Sequence, residues 1–287
     1  MIWDNFRIAL QAIRSNKLRS LLTTLGIIIG VAAVIAVVSI VQGLNHVIAV
    51  QLEGVGATYI RVQWRDDPND PDLAGREVTL TYEDGLAIAE RATAIEHFSP
   101  IFFRGERVHF RDRQHATTLL GVGSAHQEVN NHWVERGRFF SQLDLDRRAR
   151  VCIVGLDIVD ELELGDDALG SQLIVGNSSF TVVGIMEEMG EIFGQSRDDL
   201  ILIPVTTARD LYGREAFNRL ILDFQARSAE QVERARDQIT EVLRARHRIP
   251  EGKRDVFRVV LQEEILDTTG SILGTVTSVV AGVVGVA

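Results

Sequence analysis

The chain has 287 residues and a formal net charge of −10, and 46% of its residues are hydrophobic. This length and apolar content allow two modest folded units. The first 20 residues hold four basic residues and one acid, so the remainder carries −13. Such an acidic remainder argues against nucleic-acid binding, which requires basic residues to neutralise phosphates. The single cysteine, Cys152, excludes an intrachain disulfide, and its apolar neighbours predict a buried thiol.

The N-terminal region predicts a membrane anchor. Residues 1–17 carry apolar side chains at helical spacing and predict a cytoplasmic amphipathic helix, or a cytoplasmic extension of the helix that follows. Residues 18–41 form an almost wholly apolar run, long enough to be a first transmembrane helix. The preceding basic residues place the N-terminus in the cytoplasm and the main domain outside the inner membrane. A cleaved signal peptide has a similar order, but its apolar region is shorter and a cleavage site follows it.

The uncharged run continues beyond the predicted span, and residues 42–56 predict a stalk. A helix continuous to Leu52 would be about 50 Å long, whereas the hydrocarbon core of a bilayer is about 30 Å thick. We therefore expect this helix to extend above the membrane.

Two strand-helix-strand units follow, at residues 57–112 and 218–262. Thr81 and Asp84 predict a capping box for the first helix, and Ser228 and Gln231 predict one for the second. Such units can pair into one split βαβ layer, which would form a membrane-proximal subdomain. Residues 113–217 alternate apolar and polar side chains over short runs and predict an inserted β-rich subdomain. The predicted fold class is therefore an α+β extracytoplasmic domain on a membrane helix with a long stalk.

Gly105 predicts a turn that separates two strands, Phe98–Arg104 and Glu106–Arg111. Residues 186–197 predict a loop in which apolar side chains lie among glycines. Such a loop is suited to contact with a partner or a lipophilic ligand, although Met189 and Phe193 could equally pack in the core. The candidate contact residues are Met186, Met189, Ile192 and Phe193.

A second uncharged run, residues 268–287, predicts an incomplete second transmembrane helix. A re-entrant helix is the alternative, but a chain that stops within an apolar helix is more typical of a truncated sequence. Small residues recur four apart in both apolar runs and allow close helix packing in lipid. For Gly26 and Gly30 an incidental occurrence is an equal alternative, because glycine is common in membrane helices. The helix-packing candidates are Gly26, Gly30, Gly270 and Gly274.

Motifs for catalysis are missing from the sequence. The phosphate-binding loop of ATPases does not occur, so this chain is not expected to hydrolyse ATP. His126 and His132 do not have the spacing of zinc ligands, and no serine nucleophile elbow occurs. We therefore expect a non-catalytic subunit with no catalytic, metal-binding or cofactor-binding residues.

Several segments resemble permeases of the MacB/FtsX type, which belong to the ABC transporters. The N-terminal run, residues 18–35, resembles the opening of these permeases most specifically. The other similar segments are residues 135–140, 150–155, 180–185, 193–199 and 203–204.

This resemblance implies a MacB-like periplasmic core domain of two subdomains, followed by further membrane helices. It also implies a homodimer in the inner membrane. A cytoplasmic ABC-type ATPase in a separate partner chain would hydrolyse ATP, and the homodimer would transmit the resulting motion to the periplasm for export or extraction of a substrate. A periplasmic adaptor and membrane lipid would be further partners. The alternative function is a membrane-anchored ligand-binding receptor or scaffold without an ATPase, and a secreted enzyme is a more distant one.

Overall fold

A computed structural model describes Trp3, Arg7 and residues 15–65, 79–165, 168–192, 195–262 and 264. The chain divides into two compact units, one of Met1–Gln51 with Leu266–Ala287 and the other of Leu52–Ile265. Most of the predicted amphipathic helix at residues 1–17 lies outside the described residues. The whole of residues 268–287, which includes Gly270 and Gly274, also lies outside them.

The first long element is helix α1, Lys17–Val55, which has 39 residues. It contains the predicted span and almost all of the predicted stalk in one continuous helix. Within the described part of the chain, no helix combines the length and the apolar character that a membrane crossing requires.

The second unit is built on a ten-stranded mixed sheet. Its strands are β1 Tyr59–Trp64, β2 Ile95–Phe110, β3 Arg113–Val122, β4 Val134–Gly137, β5 Val151–Val154, β6 Gln172–Val175, β7 Ser178–Met186, β10 Leu200–Pro204, β11 Ile221–Ala226 and β12 Phe257–Leu261. Nine of these strands are ordered β12-β1-β11-β2-β3-β10-β5-β7-β4, and β6 pairs with both β2 and β7. Two short strands, β8 Glu191–Ile192 and β9 Gln195–Ser196, form a separate hairpin.

Helices cover this sheet. They are α2 Tyr82–Arg91, α3 His126–Asn130, α4 Gln142–Asp146, α5 Leu156–Glu161, α6 Val205–Tyr212 and α7 Val232–Arg246. Helices α2 and α7 pack against each other and against strands β1, β2 and β12. The predicted capping box at Thr81 and Asp84 is confirmed at the start of α2. Apolar residues from both helices, including Ile88, Ile239 and Leu243, are fully buried in the core.

Strand β2 is shared between two parts of the sheet. Its first half pairs with β11, next to β1 and β12, as expected if residues 57–112 and 218–262 combine. Its second half pairs with β3 and β6, and the series β2-β3-β10-β5-β7-β6 closes on itself. Because β3 pairs along its full length with the second half of β2, the predicted boundary at residue 113 falls inside a hairpin. The division into two subdomains remains a prediction.

Two local predictions were wrong. Gly105 does not separate two strands, because it lies within the 16-residue strand β2 and pairs with Thr118 in the uninterrupted ladder to β3. Ser228 is extended but does not cap α7, because a 3-10 turn, Ala229–Gln231, separates it from the start of the helix. Tertiary pairing therefore overrides the low strand propensity of glycine in the first case.

Candidate functional site

One face of the sheet, formed by β1, β11, β2, β3 and β10, carries the candidate site. Antiparallel registers align Arg61 with Asp223 and Asp223 with Ser99, which gives a row of polar side chains across three strands. Two residues further along, Ile221 is opposite Ile101. Because alternate side chains of a strand share a face, this polar row borders apolar side chains on the same surface.

Arg61 and Asp223 form a bidentate ion pair at one edge of the site. Arg61 Nε and Nη2 donate to the two carboxylate oxygens of Asp223, each at 2.8 Å. Asp223 is fully buried. Burial by itself would lower the pKa of Arg61, but the hydrogen bonds and charge of Asp223 raise it. Burial and the neighbouring Asp223 charge raise the pKa of Tyr59, so Tyr59 stays protonated.

A buried histidine lies beside this ion pair. His126, in α3, has its Nδ1 3.2 Å from Ser99 Oγ and 3.1 Å from Asn130 Nδ2. An amide nitrogen only donates hydrogen bonds, so Nδ1 accepts and the imidazole is neutral. Burial, with a contribution from His132, lowers the pKa of His126 to about 3. The histidine therefore contributes hydrogen bonds rather than charge.

A second buried histidine connects α3 with the segment after β7. His132 Nε2 is 3.2 Å from the carbonyl oxygen of Glu187. Burial lowers the pKa of His132, and the hydrogen bond to Glu187 opposes this effect. The neighbouring Trp133 backbone N–H donates to the Glu187 carboxylate at 2.9 Å.

Asp198 holds the loop that leads to the candidate site. Its carboxylate oxygens accept the backbone N–H groups of Met189, at 2.9 Å, and Gly190, at 2.8 Å. Its neighbour Arg197 is half-buried, and burial lowers the pKa of Arg197 although the Asp198 charge opposes this. The Arg197 guanidinium makes no hydrogen bond or ion pair with the residues that the structure describes.

These groups surround a cleft of about 510 Å³, which we call the sheet cleft. This volume lies within the range of small-molecule pockets. Its apolar lining consists of Ile101, Phe103, Leu120, Met189, Leu200 and Ile221. Its polar lining consists of Tyr59, Arg61, Thr118, His126, Asn130, His132, Arg197 and Gln262. The described lining contains two arginines and no acidic residue.

The side chains of the sheet cleft are suited to binding a ligand. The described residues contain no group of three or more histidine, cysteine or acidic side chains placed to hold a metal. Cys152 is fully buried as predicted, and burial raises the pKa of its thiol, so this group does not act as a nucleophile. The lining instead combines apolar walls with a small number of hydrogen-bonding groups.

The sequence-predicted contact residues are separated by the structure. The prediction of Met186 as a contact residue on a loop was wrong, because Met186 lies in β7 and its side chain is fully buried in the core. Met189 lines the sheet cleft. Ile192 belongs to β8, and Phe193 lies outside the described residues.

The helix-packing candidates are only partly described. Gly26 lies in α1, and a Cβ atom there would have no neighbour within 4 Å among the described residues. Gly30 lies in the same helix, whereas Gly270 and Gly274 are not described.

Sequence reasoning missed the ion pair and the buried histidine network. Arg61 and Asp223 are 162 residues apart, and Ser99 and His126 belong to different elements. The signal present in the sequence was a charged residue within each of two apolar strands.

Residues 20–242 match the family described as the MacB-like periplasmic core domain. The chain belongs to this family. The relatives of this chain include proteins named macrolide export ATP-binding/permease protein MacB. The relative from Bdellovibrio bacteriovorus is 27% identical over 96% of this chain and 43% of its own length. The relative from Rhodospirillum rubrum is 31% identical over 92% of this chain and 40% of its own length.

Solved structures share the fold. The periplasmic region of MacB from Actinobacillus actinomycetemcomitans aligns with a TM-score of 0.62 and 17% identity, covering 77% of this chain and 96% of that one. The extracellular domain of the ABC-type transporter YknZ from Gram-positive bacteria aligns with a TM-score of 0.57 and 18% identity, covering 70% and 99%. The resemblance found in the sequence is therefore confirmed, and the chain spans about two fifths of the length of the MacB relatives.

Proposed function

We propose that this chain acts as the permease subunit of an ABC transporter of the MacB/FtsX type. In this role α1 anchors the chain in the inner membrane, and the core domain works on the outer side of that membrane. An ABC-type ATPase on the cytoplasmic side hydrolyses ATP, and the core domain moves in response to export or extract a substrate. The family match over residues 20–242 is the observation that carries this proposal.

The side chains of α1 support membrane anchoring. Apolar residues on several sides of the helix are exposed to the surroundings in the isolated chain. The most exposed are Leu18, Leu21, Leu22, Ile27, Ile28, Ile29, Val31 and Ile35. Exposed apolar side chains gain free energy when protein or lipid covers them, because water solvates them poorly.

We also propose that two copies of the chain pair through α1. Gly26 has open space where a side chain would lie, and Gly30 follows one turn later on the same helix. Small residues at this spacing let two helices approach closely in lipid. A periplasmic adaptor and surrounding lipid complete the proposed assembly.

A coupling experiment tests the permease role. The chain would be reconstituted in nanodiscs with a candidate ABC-type ATPase, and ATP turnover would be measured. We expect a stable complex whose turnover falls when a flexible Gly-Ser segment is inserted after Gly43 in α1. A matched insertion after Asn177, in the exposed turn between β6 and β7, should leave turnover unchanged. Absence of both a complex and any dependence of turnover on the chain would contradict the proposal.

A second candidate function is a membrane-anchored receptor or scaffold that binds a ligand without an ATPase. The sheet cleft favours this alternative, because a preformed apolar pocket with several polar groups is typical of ligand binding. Ligand binding that persists without any ATPase complex would support the receptor.

A further inference from the structure

The sheet cleft has the electrostatic character opposite to that of the whole chain. The chain contains 40 acidic and 30 basic residues, yet the described lining of the cleft contains no acid. His126 is neutral at physiological pH because its pKa lies near 3. Arg61 and Asp223 neutralise each other. Only the charge of Arg197 remains without a bonded counter-charge on the described lining.

Asp198, the acidic neighbour of Arg197 in the chain, does not form an ion pair with it. The Asp198 carboxylate is buried and accepts two backbone hydrogen bonds, from Met189 and Gly190. It therefore fixes the loop that positions Arg197, while the guanidinium has no hydrogen-bond or ion-pair partner among the residues that the structure describes. A guanidinium presents a planar set of donors that matches carboxylate and phosphate oxygens. A half-buried cation with free donors is well suited to an anion delivered by a ligand.

The remaining surface of the cleft is apolar. Phe103 is 53% exposed, although a large aromatic side chain gains free energy when it is covered. Its cross-strand neighbour Leu120 and the nearby Ile101, Leu200 and Ile221 continue the same surface. A ligand that fills the cleft must therefore present an apolar body to these strands and a polar group to Arg197.

From this arrangement we infer that the sheet cleft binds an amphiphile with a single anionic head, which Arg197 holds, and an apolar body, which covers Phe103. His132 and Asn130 line the same cleft and supply polar neighbours for the head group. This binding role goes beyond the proposed transport function and does not require an ATPase.

Photolabelling with two matched probes tests this inference in the intact chain. The chain would be placed in phosphatidylcholine nanodiscs with a diazirine-bearing single-chain carboxylate or with the corresponding alcohol. Labelled peptides would be mapped by mass spectrometry, so that labelling in the sheet cleft is separated from labelling at the membrane. We expect the carboxylate to label peptides from β2, β3 and β11, and the alcohol to label them much less.

Arg197→Gln should reduce cleft labelling by the carboxylate about tenfold, because a charge-assisted hydrogen bond is lost. Arg197→Lys should retain part of the labelling, since it keeps the positive charge. Arg234→Gln is the matched control, because Arg234 is exposed on α7 and is absent from the cleft lining. We expect this control to label like the unaltered chain. Circular dichroism would establish that each variant is folded.

The source of the amphiphile can be distinguished in the same experiment. Displacement of the probe by free laurate would identify a dissolved carboxylate, and displacement by phosphatidylglycerol in the disc would identify a membrane lipid. Either outcome supports an anionic amphiphile. Equal cleft labelling by both probes, no cleft labelling by the carboxylate, or unchanged labelling of folded Arg197→Gln would overturn the inference.

Discussion

Arg61 and Asp223 lie directly opposite each other on neighbouring antiparallel strands and form two hydrogen bonds of 2.8 Å. Asp223 is fully buried, whereas the Arg61 side chain retains partial exposure. The pair thus joins the strand that follows α1 to a strand more than 150 positions later in the chain. Its effect is to fix the register of β1 against β11 at the edge of the sheet cleft.

Replacing Asp223 should strongly destabilise the core domain. We expect Asp223→Ala to lower the free energy of unfolding by about 3–5 kcal/mol, because it leaves the half-buried Arg61 without its counter-charge. The measurement is urea unfolding of the intact chain in detergent, followed by circular dichroism. The double variant with Arg61→Met should recover part of this loss.

A second ion pair, which is exposed on the surface, provides the matched control. Arg148 Nη1 donates to both carboxylate oxygens of Asp210, at 3.0 and 3.1 Å, but both side chains are exposed to solvent. Asp210→Ala should cost less than about 1 kcal/mol, because water screens the pair. Equal losses at Asp210 and Asp223 would contradict the role assigned to burial.

Asp144 should make stability depend on acid pH. The hydrogen bonds from Arg138 lower the pKa of Asp144 to about 2, against the opposing effect of burial, and the Ser141 cap contributes further. A lowered carboxyl pKa stabilises the fold above the unfolded pKa of about 4, and this contribution is lost as pH falls through about 2. Asp144→Asn should therefore cost about 1–2 kcal/mol at pH 7 and progressively less below pH 4.

The test is the free energy of unfolding of both chains at a series of pH values. Arg138→Gln provides a second variant, because it removes the ion pair and leaves the Ser141 cap. Its acid transition should move to higher pH than that of the unaltered chain. Parallel pH profiles for the unaltered chain and Asp144→Asn would be inconsistent with the lowered pKa.

His126 should remain neutral in the folded chain where ordinary histidines become protonated. Its folded pKa is about 3, so between this value and about 6.5 the unfolded state binds the additional proton. The resulting contribution weakens the fold as pH falls through this window. Imidazole NMR signals of His126 should show no titration between pH 7 and 5, and the urea-unfolded chain provides the reference. A folded-state inflection near pH 6.5 would refute the neutral assignment.

Two glycines should respond in opposite ways to alanine. A Cβ atom at Gly85 would overlap Phe98 Cζ, so Gly85→Ala must displace a stacked ring and should cost about 1–3 kcal/mol. A Cβ atom at Gly105, which lies inside β2, would have no neighbour within 4 Å among the described residues. Gly105→Ala should be neutral or stabilising by about 0.5–1 kcal/mol, since alanine is favoured over glycine in a strand interior.

Thermal unfolding of the two variants would check this contrast. A stabilised Gly85→Ala chain would show that the Phe98 ring has room to move. A clear loss at Gly105→Ala would indicate a turn there, as the sequence suggested, instead of a continuous strand.

Local sequence patterns predicted elements whose stabilising contacts are themselves local. The Thr81–Asp84 capping box depends on residues close in the chain, and it is confirmed. The burial of Cys152 follows from its apolar neighbours. Short helices such as α4 and α5 were missed, because five or six residues hold too little periodicity to indicate a helix.

The candidate site could not be predicted, because it depends on strand order. Arg61, Asp223 and Ser99 come together only when β1, β11 and β2 are neighbours, and their register is a property of the whole sheet. At Gly105 a local sequence pattern gave a wrong prediction, because strand pairing decides the backbone conformation there. Its low strand propensity predicted a turn, whereas the continuous pairing of β2 with β3 keeps the backbone extended.

The proposed membrane topology can be measured directly by cysteine accessibility in intact spheroplasts. Cys152 is buried and would be replaced by serine, and single cysteines would be introduced as Asn16→Cys or Asn177→Cys, both at exposed positions. A membrane-impermeant maleimide should label Asn177→Cys in intact spheroplasts and Asn16→Cys only after permeabilisation. Labelling of Asn16→Cys alone in intact spheroplasts, or protection of both until permeabilisation, would contradict a core domain held outside the inner membrane by α1.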